Sequence, residues 1–448
     1  MKKSKNSIWA AILVFNMFSD KINKGVNGEV IIPGDKSISH RSIIIPSISK
    51  GICKVSNILK SEDVLHTLNA FKLMGVKIEE TNNDIIIHGN GLESLKKPNK
   101  EIYLGNSGTS ARLLTGLLAS QKFDTKLTGD DSLSSRPMKR ITDPLTLMNA
   151  DIITTNGKLP VLIKGNELQS NKININIPSA QIKSGLILAA INTKGRSTII
   201  ENGVTRDHTE IMLESFGANI SLKKINGGKE ITIEGKKELI SKDINVPSDL
   251  SSSAFFIIAA LIHKNSRIKI KNVNVNPTRN GILIALKKMG AKINIYNKRM
   301  LNNEIISDLE VLSSDLKGCE LDKDFAKLMI DEYPILSIAA SFAETPSIFR
   351  GLSELKVKES NRLELIKLNL LRCGVECKVN NDDLFIFPNK NISIINNNID
   401  TNYDHRIAMA FTIMASKIGK LKINESDSIN TSFPSFISEF TKIGGKIS

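Results

Sequence analysis

The sequence predicts an α/β fold of six similar subdomains, grouped as two lobes of three. The first observation behind this is a unit of roughly 70 residues that recurs six times. Its polar openings begin at Pro33, Leu104, Pro178, Pro247, Asp331 and Asp404, which lie 71, 74, 69, 84 and 73 positions apart. Each opening leads into an apolar Ala/Ser/Ile-rich stretch of helical length, then a β-like run and a second helix. The second observation is how those second helices end: Met74-Gly75-Val76, Asn149-Ala150-Asp151, Phe216-Gly217-Ala218, Met289-Gly290-Ala291, Cys373-Gly374-Val375 and Ile443-Gly444-Gly445. Glycine at such a point suits a left-handed C-cap before the chain turns into a strand. The period exceeds the about 20–50 residues of solenoid repeats, so the units read as subdomains. A chain of 448 residues should hold more than one core, and two lobes of three repeats is the economical division.

Composition fits a globular enzyme, with 41% hydrophobic and 24% charged residues. Cys53, Cys319, Cys373 and Cys377 form no CxxC pair and have no neighbouring His, which reads as buried reduced thiols rather than a metal site. The net charge of +15 favours anionic partners. Scattered lysines, 5% aromatics and no recognisable motif argue against nucleic acid. At the N-terminus, Lys2, Lys3 and Lys5 precede the apolar run Ile8 to Phe15, which is too short to span a membrane and lacks a small-residue cleavage site. Met17 is an alternative start, and residues 1–17 read as the product of a mis-set start codon or as a dispensable extension rather than a secretion signal.

Six polar clusters at equivalent helix N-termini point to six anion-facing sites. In the first, Gly34 allows a turn, Asp35 or Ser37 caps the helix, and Lys36, Ser37 and Arg41 converge near free backbone N–H groups. Alone, that is equally a capped helix with solvated cations. The second, Gly105 to Arg112, includes Gly108, where a ligand can approach the backbone closely; a tight turn is the plain alternative. Arg136 follows beside Pro137. The third offers Ser179, Ala180 and Gln181 at a helix start, with Arg206 further on, for which a salt bridge to Asp207 is the bland alternative. The fifth carries the acid/base candidates, Asp331 before an apolar helix and Lys358-Glu359 before Arg362, although KExxR is also a common ion-pair pattern on exposed helices. The sixth brings Arg406 to a helix start beside His405.

Taken together, PGDKSISHR, NSGTSAR, SRPM, PSAQIKS, TRDHTE, NPTR, DEYPIL, VKESNRL, DHRIAM and TSFP, in this order from about Gly28 to the C-terminus, resemble 5-enolpyruvylshikimate-3-phosphate synthases of the second sequence class. The resemblance implies an inside-out α/β barrel in each lobe, the enolpyruvyl transferase fold, built from βαβαββ units. It places residues 35–246 in one lobe and 18–34 with 247–448 in the other, the chain crossing near Gly34 and Val246. The implied reaction moves the enolpyruvyl group of phosphoenolpyruvate to the 5-hydroxyl of shikimate 3-phosphate in a cytoplasmic, monomeric enzyme of aromatic amino-acid biosynthesis. No metal or other cofactor is implied.

By the same resemblance, Asp331 accepts the hydroxyl proton, Glu359 works at the methylene carbon, and Lys358 assists. Lys36, Ser37, Arg41, Ser179, Ala180, Gln181, Arg206, Asp331 and Lys358 would meet shikimate 3-phosphate. Lys36, Gly108, Arg136, Gln181, Arg362 and Arg406 would meet phosphoenolpyruvate. An acid at neutral pH needs a raised pKa, so Glu359 is expected to be secluded when the two lobes close over the substrates.

Two departures stand out: Thr431-Ser432-Phe433-Pro434 lacks the Lys some members carry before Thr-Phe-Pro, and Glu354 stands where some carry Asn. Some members of the class bear Ala at Gly108, where a methyl would crowd the inhibitor glyphosate; with Gly, glyphosate is expected to compete with phosphoenolpyruvate. The related transferase acting on UDP-N-acetylglucosamine typically shows Lys-Asn in place of Lys36-Ser37 and a reactive loop Cys, which none of the four cysteines matches. A repeat-built nucleic-acid binder would give Asp331 and Glu359 no role.

Overall fold

The computed structural model describes residues 16–81, 84–389 and 391–448. The basic and apolar run of residues 2–15 lies outside them. Six four-stranded sheets follow one plan. In the second repeat, Ile102–Tyr103 runs parallel to Thr125–Thr128, which pairs antiparallel with Lys158–Lys164, and Asp151–Thr155 closes the sheet. A helix connects the two parallel strands, and helical segments lead on to the closing hairpin, so the unit reads βαβαββ.

The first helices of the six repeats are α1 (Lys36–Ser47), α2 (Gly108–Ala119), α3 (Ala180–Ile191), α4 (Leu250–Ile262), α5 (Tyr333–Ser341) and α6 (His405–Ile418). Most of their residues are buried, and α4 is buried along its whole length. The apolar character of these stretches is that of helices surrounded by protein rather than amphipathic surface helices. Helices α4, α5 and α6 pack on one another within a single apolar core, while α1, α2 and α3 belong to a second core spanning residues 38–246. At the α2–α3 crossing, Gly116 faces the Gly185 carbonyl so closely that a Cβ would sit 1.9 Å from it. Two glycines therefore let these backbones touch and draw the two helix starts together.

The chain passes between the cores twice, and the passages lie side by side. Asn27–Val30 joins the sheet of residues 267–312, whereas Ile244–Asn245 pairs with Lys50–Ser56. Between the passages the Asp35 amide donates to the Pro247 carbonyl (2.7 Å) and the Asp249 amide to the Pro33 carbonyl (3.0 Å). A Cβ on Gly34 would lie 2.1 Å from the Asn57 carbonyl, so this crossing demands glycine.

Two sequence expectations need correction. Met17 is the first residue of strand Met17–Asp20, paired with Ile423, so the fold already includes the residue read as the end of an extension. In the second repeat the left-handed position is filled by Asn149 (φ 67°), not Ala150. Asn tolerates this conformation because its short polar side chain bonds locally. The other five repeats use the expected glycine, Gly75 (φ 83°) among them.

Among the described residues, no helix is long and apolar enough to cross a membrane.

Candidate active site

Five of the six helix openings meet at one cavity of about 380 Å³ between the two cores. Lys36 and Ser37 come from the start of α1, Thr109 from α2, and Ser179, Ala180 and Gln181 from α3. Asp331 precedes α5, and His405 and Arg406 begin α6. The sixth opening, at α4, contributes nothing to the wall, contrary to the expectation of six equivalent sites. Asp249 caps α4 by accepting from the Ser251 amide (2.7 Å), and that helix start is enclosed.

The wall carries ten Lys or Arg side chains against three carboxylates, Asp331, Glu354 and Glu359. On one side, Lys36 is salt-bridged to Asp63. Gln181 joins two repeats: its Oε1 accepts from Arg112 (2.9 Å), and its Nε2 donates to Thr109 Oγ1 (3.0 Å). Arg136 is held by the Asn106 side chain and by Ser132 Oγ (3.1 Å). Burial, with Arg136 and Arg140 nearby, lowers the Arg112 pKa to about 10, which leaves it charged at neutral pH.

Asp331 is the most heavily contacted carboxylate. Arg206 reaches it across the cavity at 2.6 Å, Lys358 and Arg362 each lie 3.2 Å from its other oxygen, and Arg406 donates to its carbonyl (3.1 Å). Burial pushes its pKa up, but Lys358, Arg206, Arg406 and Arg362 overrule that and hold it well below the ordinary 3.8. Arg206 therefore pairs with Asp331, and the local alternative, Asp207, is bound instead by Lys229, Asn276 and Thr278.

Glu359 is held down in this structure, where the raised pKa expected on closure is not in place. Burial raises its pKa, yet Arg362 at 2.6 Å, with Arg136 and Lys36, brings it well below 4.5. His405 is driven well below 6.5 by burial and by Lys36, so its ring is neutral.

Three predicted contacts stand behind the wall rather than on it. Arg41 is buried, donating to Thr209 Oγ1 (2.6 Å), Ser184 Oγ (2.7 Å) and the Ser37 carbonyl (2.8 Å). Arg362 is fully buried and forked onto Asp404 while touching Asp331 and Glu359. Gly108 starts α2, where a Cβ would lie 2.7 Å from Arg112 and 3.1 Å from Arg136. Neither Arg41 nor Arg362 lines the cavity, and both bear on it through the groups they hold.

Several wall residues had no role in the sequence reading: Arg112, Arg140, Arg279, Lys323, Lys327 and His405. Arg112 and Arg279 sit inside recognised motifs, NSGTSAR and NPTR, and that was their only signal. Arg140 pairs with Glu354 across the cavity mouth (3.0 Å).

A sequence model of the family described as EPSP synthase (3-phosphoshikimate 1-carboxyvinyltransferase) matches residues 21–440. A 3-phosphoshikimate 1-carboxyvinyltransferase from Ruthia magnifica subsp. Calyptogena magnifica is 42% identical over 96% of this chain and 98% of its own. One from Bacillus cytotoxicus is 39% identical over 94% and 98%. A solved EPSP synthase from Acinetobacter baumannii superposes with a TM-score of 0.85 at 39% identity, covering 97% of this chain and 100% of that one.

Proposed function

The chain belongs to the EPSP synthase family, and we propose that the cavity between its lobes is where it works. The enzyme transfers the enolpyruvyl group of phosphoenolpyruvate to the 5-hydroxyl of shikimate 3-phosphate and releases phosphate. One observation supports the placement above all: the charge balance of the wall. Ten cations face three carboxylates there. The two substrates bring two phosphates and two carboxylates, about five to six negative charges at neutral pH. A volume of about 380 Å³ is within the range of small-molecule sites.

Shikimate 3-phosphate is assigned to Lys36, Ser37, Ser179, Ala180, Gln181, Arg206, Asp331 and Lys358, with Arg41 acting through the Ser37 carbonyl. Phosphoenolpyruvate is assigned to Lys36, Arg136, Gln181 and Arg406. Gly108 leaves room for it, and Arg362 acts through the two carboxylates. Planar guanidinium forks suit both carboxylate and phosphate.

Asp331 is a weak base while three cations grip it. An arriving phosphate competes for Arg206, and losing that fork makes Asp331 more basic as the 5-hydroxyl comes to it. The hydroxyl proton passes to Asp331 and the oxygen adds to C2 of phosphoenolpyruvate. A proton from Glu359 reaches the methylene carbon, giving a tetrahedral adduct. Elimination then breaks the C–O bond to phosphate, which leaves with the proton held by Asp331, and a methyl proton returns to Glu359. Lys358 balances charge beside Asp331. Glu359 becomes a usable acid only once substrate anions neutralise Arg136 and its neighbours. We place this chemistry in a monomer in the cytoplasm.

The test is phosphate release by purified protein given both substrates, against each alone. Release requiring both, and lost in Asp331→Ala, is expected; release independent of shikimate 3-phosphate would refute the assignment.

A further inference from the structure

Arg279 counts among the ten wall cations but is assigned no substrate contact above, and it stands where the two lobes join. It is 2% exposed and forked between the capping carboxylates of both lobes' first helices. Nη1 lies 2.8 Å from Asp35 Oδ2, and Nη2 lies 3.0 Å from Asp249 Oδ1. These two aspartates hold the start of α1. Asp35 Oδ1 accepts from the Ile38 amide (2.9 Å), and Asp249 Oδ2 accepts from the Lys36 amide (3.1 Å). An aspartate from one lobe thus caps the helix of the other.

Arg279 also reaches Ser37 on the cavity wall and Ser251 behind it. Nη1 donates to Ser37 Oγ (3.4 Å) and Nη2 to Ser251 Oγ (2.7 Å). Ser251 in turn donates to Glu332, the neighbour of Asp331. Its contacts include neither Arg136 nor Arg406. A single planar side chain therefore ties the Lys36–Ser37 cradle to the Asp331 segment, without bonding to the far side of the cavity.

We propose that Arg279 is a positioning residue for shikimate 3-phosphate: its fork on Asp35 and Asp249 sets Lys36, Ser37 and Asp331 in register across the lobe junction. The inference rests on the function proposed above. A point-charge ammonium keeps the charge between the aspartates but cannot serve both of them and two hydroxyls from one plane.

The experiment compares wild type, Arg279→Lys and Arg279→Met by phosphate-release kinetics with each substrate varied. Shikimate 3-phosphate binding is also measured alone by calorimetry, with thermal unfolding as the check on folding. In the Lys variant, KM and Kd for shikimate 3-phosphate should rise roughly tenfold or more, the loss of about one charged hydrogen bond. KM for phosphoenolpyruvate should stay within about threefold. Equal rises for both substrates, or a fall in kcat with shikimate 3-phosphate binding unchanged, would overturn the inference. If the Met variant fails to fold, the Lys variant decides. A wild type without shikimate 3-phosphate-dependent release would overturn the proposed function and this inference with it; an active wild type matched by Arg279→Lys would overturn the inference alone.

Discussion

Helices α1 and α4 open the two lobes, have their starts side by side at the crossing, and are each capped by an aspartate, Asp35 or Asp249. Yet α1 begins with Lys36 and Ser37 on the cavity wall, whereas α4 begins with Leu250 and Ser251, both enclosed. The backbone device is the same and the outcome is opposite. A helix N-terminus offers free N–H groups wherever the repeat places one. Whether it becomes a site depends on which side chains follow the cap and on what covers them. At α4 the cover is Arg279, which also places a buried positive charge between the two caps. The repeat supplies six openings, and the local side chains select five.

The comparison can be broken most severely at the opening of α5. Asp331→Ala should lower kcat by at least about 100-fold, the usual worth of a positioned base. Steady-state phosphate release reads it, and a loss below tenfold would move the base elsewhere.

The next test gives α4 the cation of α1. Leu250→Lys places an ammonium where the wild-type residue is 1% exposed, and Arg279 is already between the aspartates. The variant should lose roughly 3 kcal/mol or more of stability in denaturant unfolding and gain no anion site. Unchanged stability would show that the α4 opening is not closed.

A smaller effect concerns protons. The Glu359 pKa lies well below 4.5 because Arg362 and Arg136 outweigh its burial. Anion binding to those cations raises it, so phosphoenolpyruvate should bring proton uptake that grows as pH falls from 7 toward 5. Calorimetry in buffers of different ionisation heat measures this. The difference between wild type and Glu359→Gln cancels the proton given up by the phosphate itself. A difference of zero across that range would contradict the acid role.

At the opening of α2, Gly108→Ala forces Arg112 and Arg136 aside by tenths of an ångström. KM for phosphoenolpyruvate should rise about fivefold, near 1 kcal/mol, with weaker competition by glyphosate. Inhibition by glyphosate that ignores phosphoenolpyruvate concentration would argue against a shared site. Least of all, Arg140→Ala should cost under about 1 kcal/mol in kcat/KM, because its pairing with Glu354 is partly exposed to water.

The openings, their spacing and the motif residues were legible because each is local: a cap, a small residue and a charge within a few positions. That pattern made Lys36, Gln181 and Asp331 candidates, and the family resemblance assigned their roles. What escaped was set by distance in the chain. Arg206 meets Asp331 125 positions away, and no local pattern favours that partner over Asp207. Arg279 meets Asp35 only because the two crossings run side by side. Arg41 and Arg362 carry motif charge but are buried behind the wall, since a motif does not reveal which side of a helix faces the cavity. The lowered Glu359 pKa was not legible either, because Arg136 and Lys36, which with Arg362 outweigh its burial, come from other repeats.

The most direct measurement is a crystal structure of the protein with shikimate 3-phosphate bound. The account predicts the ligand between the lobes, its 5-hydroxyl within hydrogen-bond reach of Asp331, its phosphate at the start of α3, and Arg206 turned from Asp331 to that phosphate. A ligand bound outside the inter-lobe cavity, or a 5-hydroxyl facing away from Asp331 with the Arg206 pair intact, would contradict it.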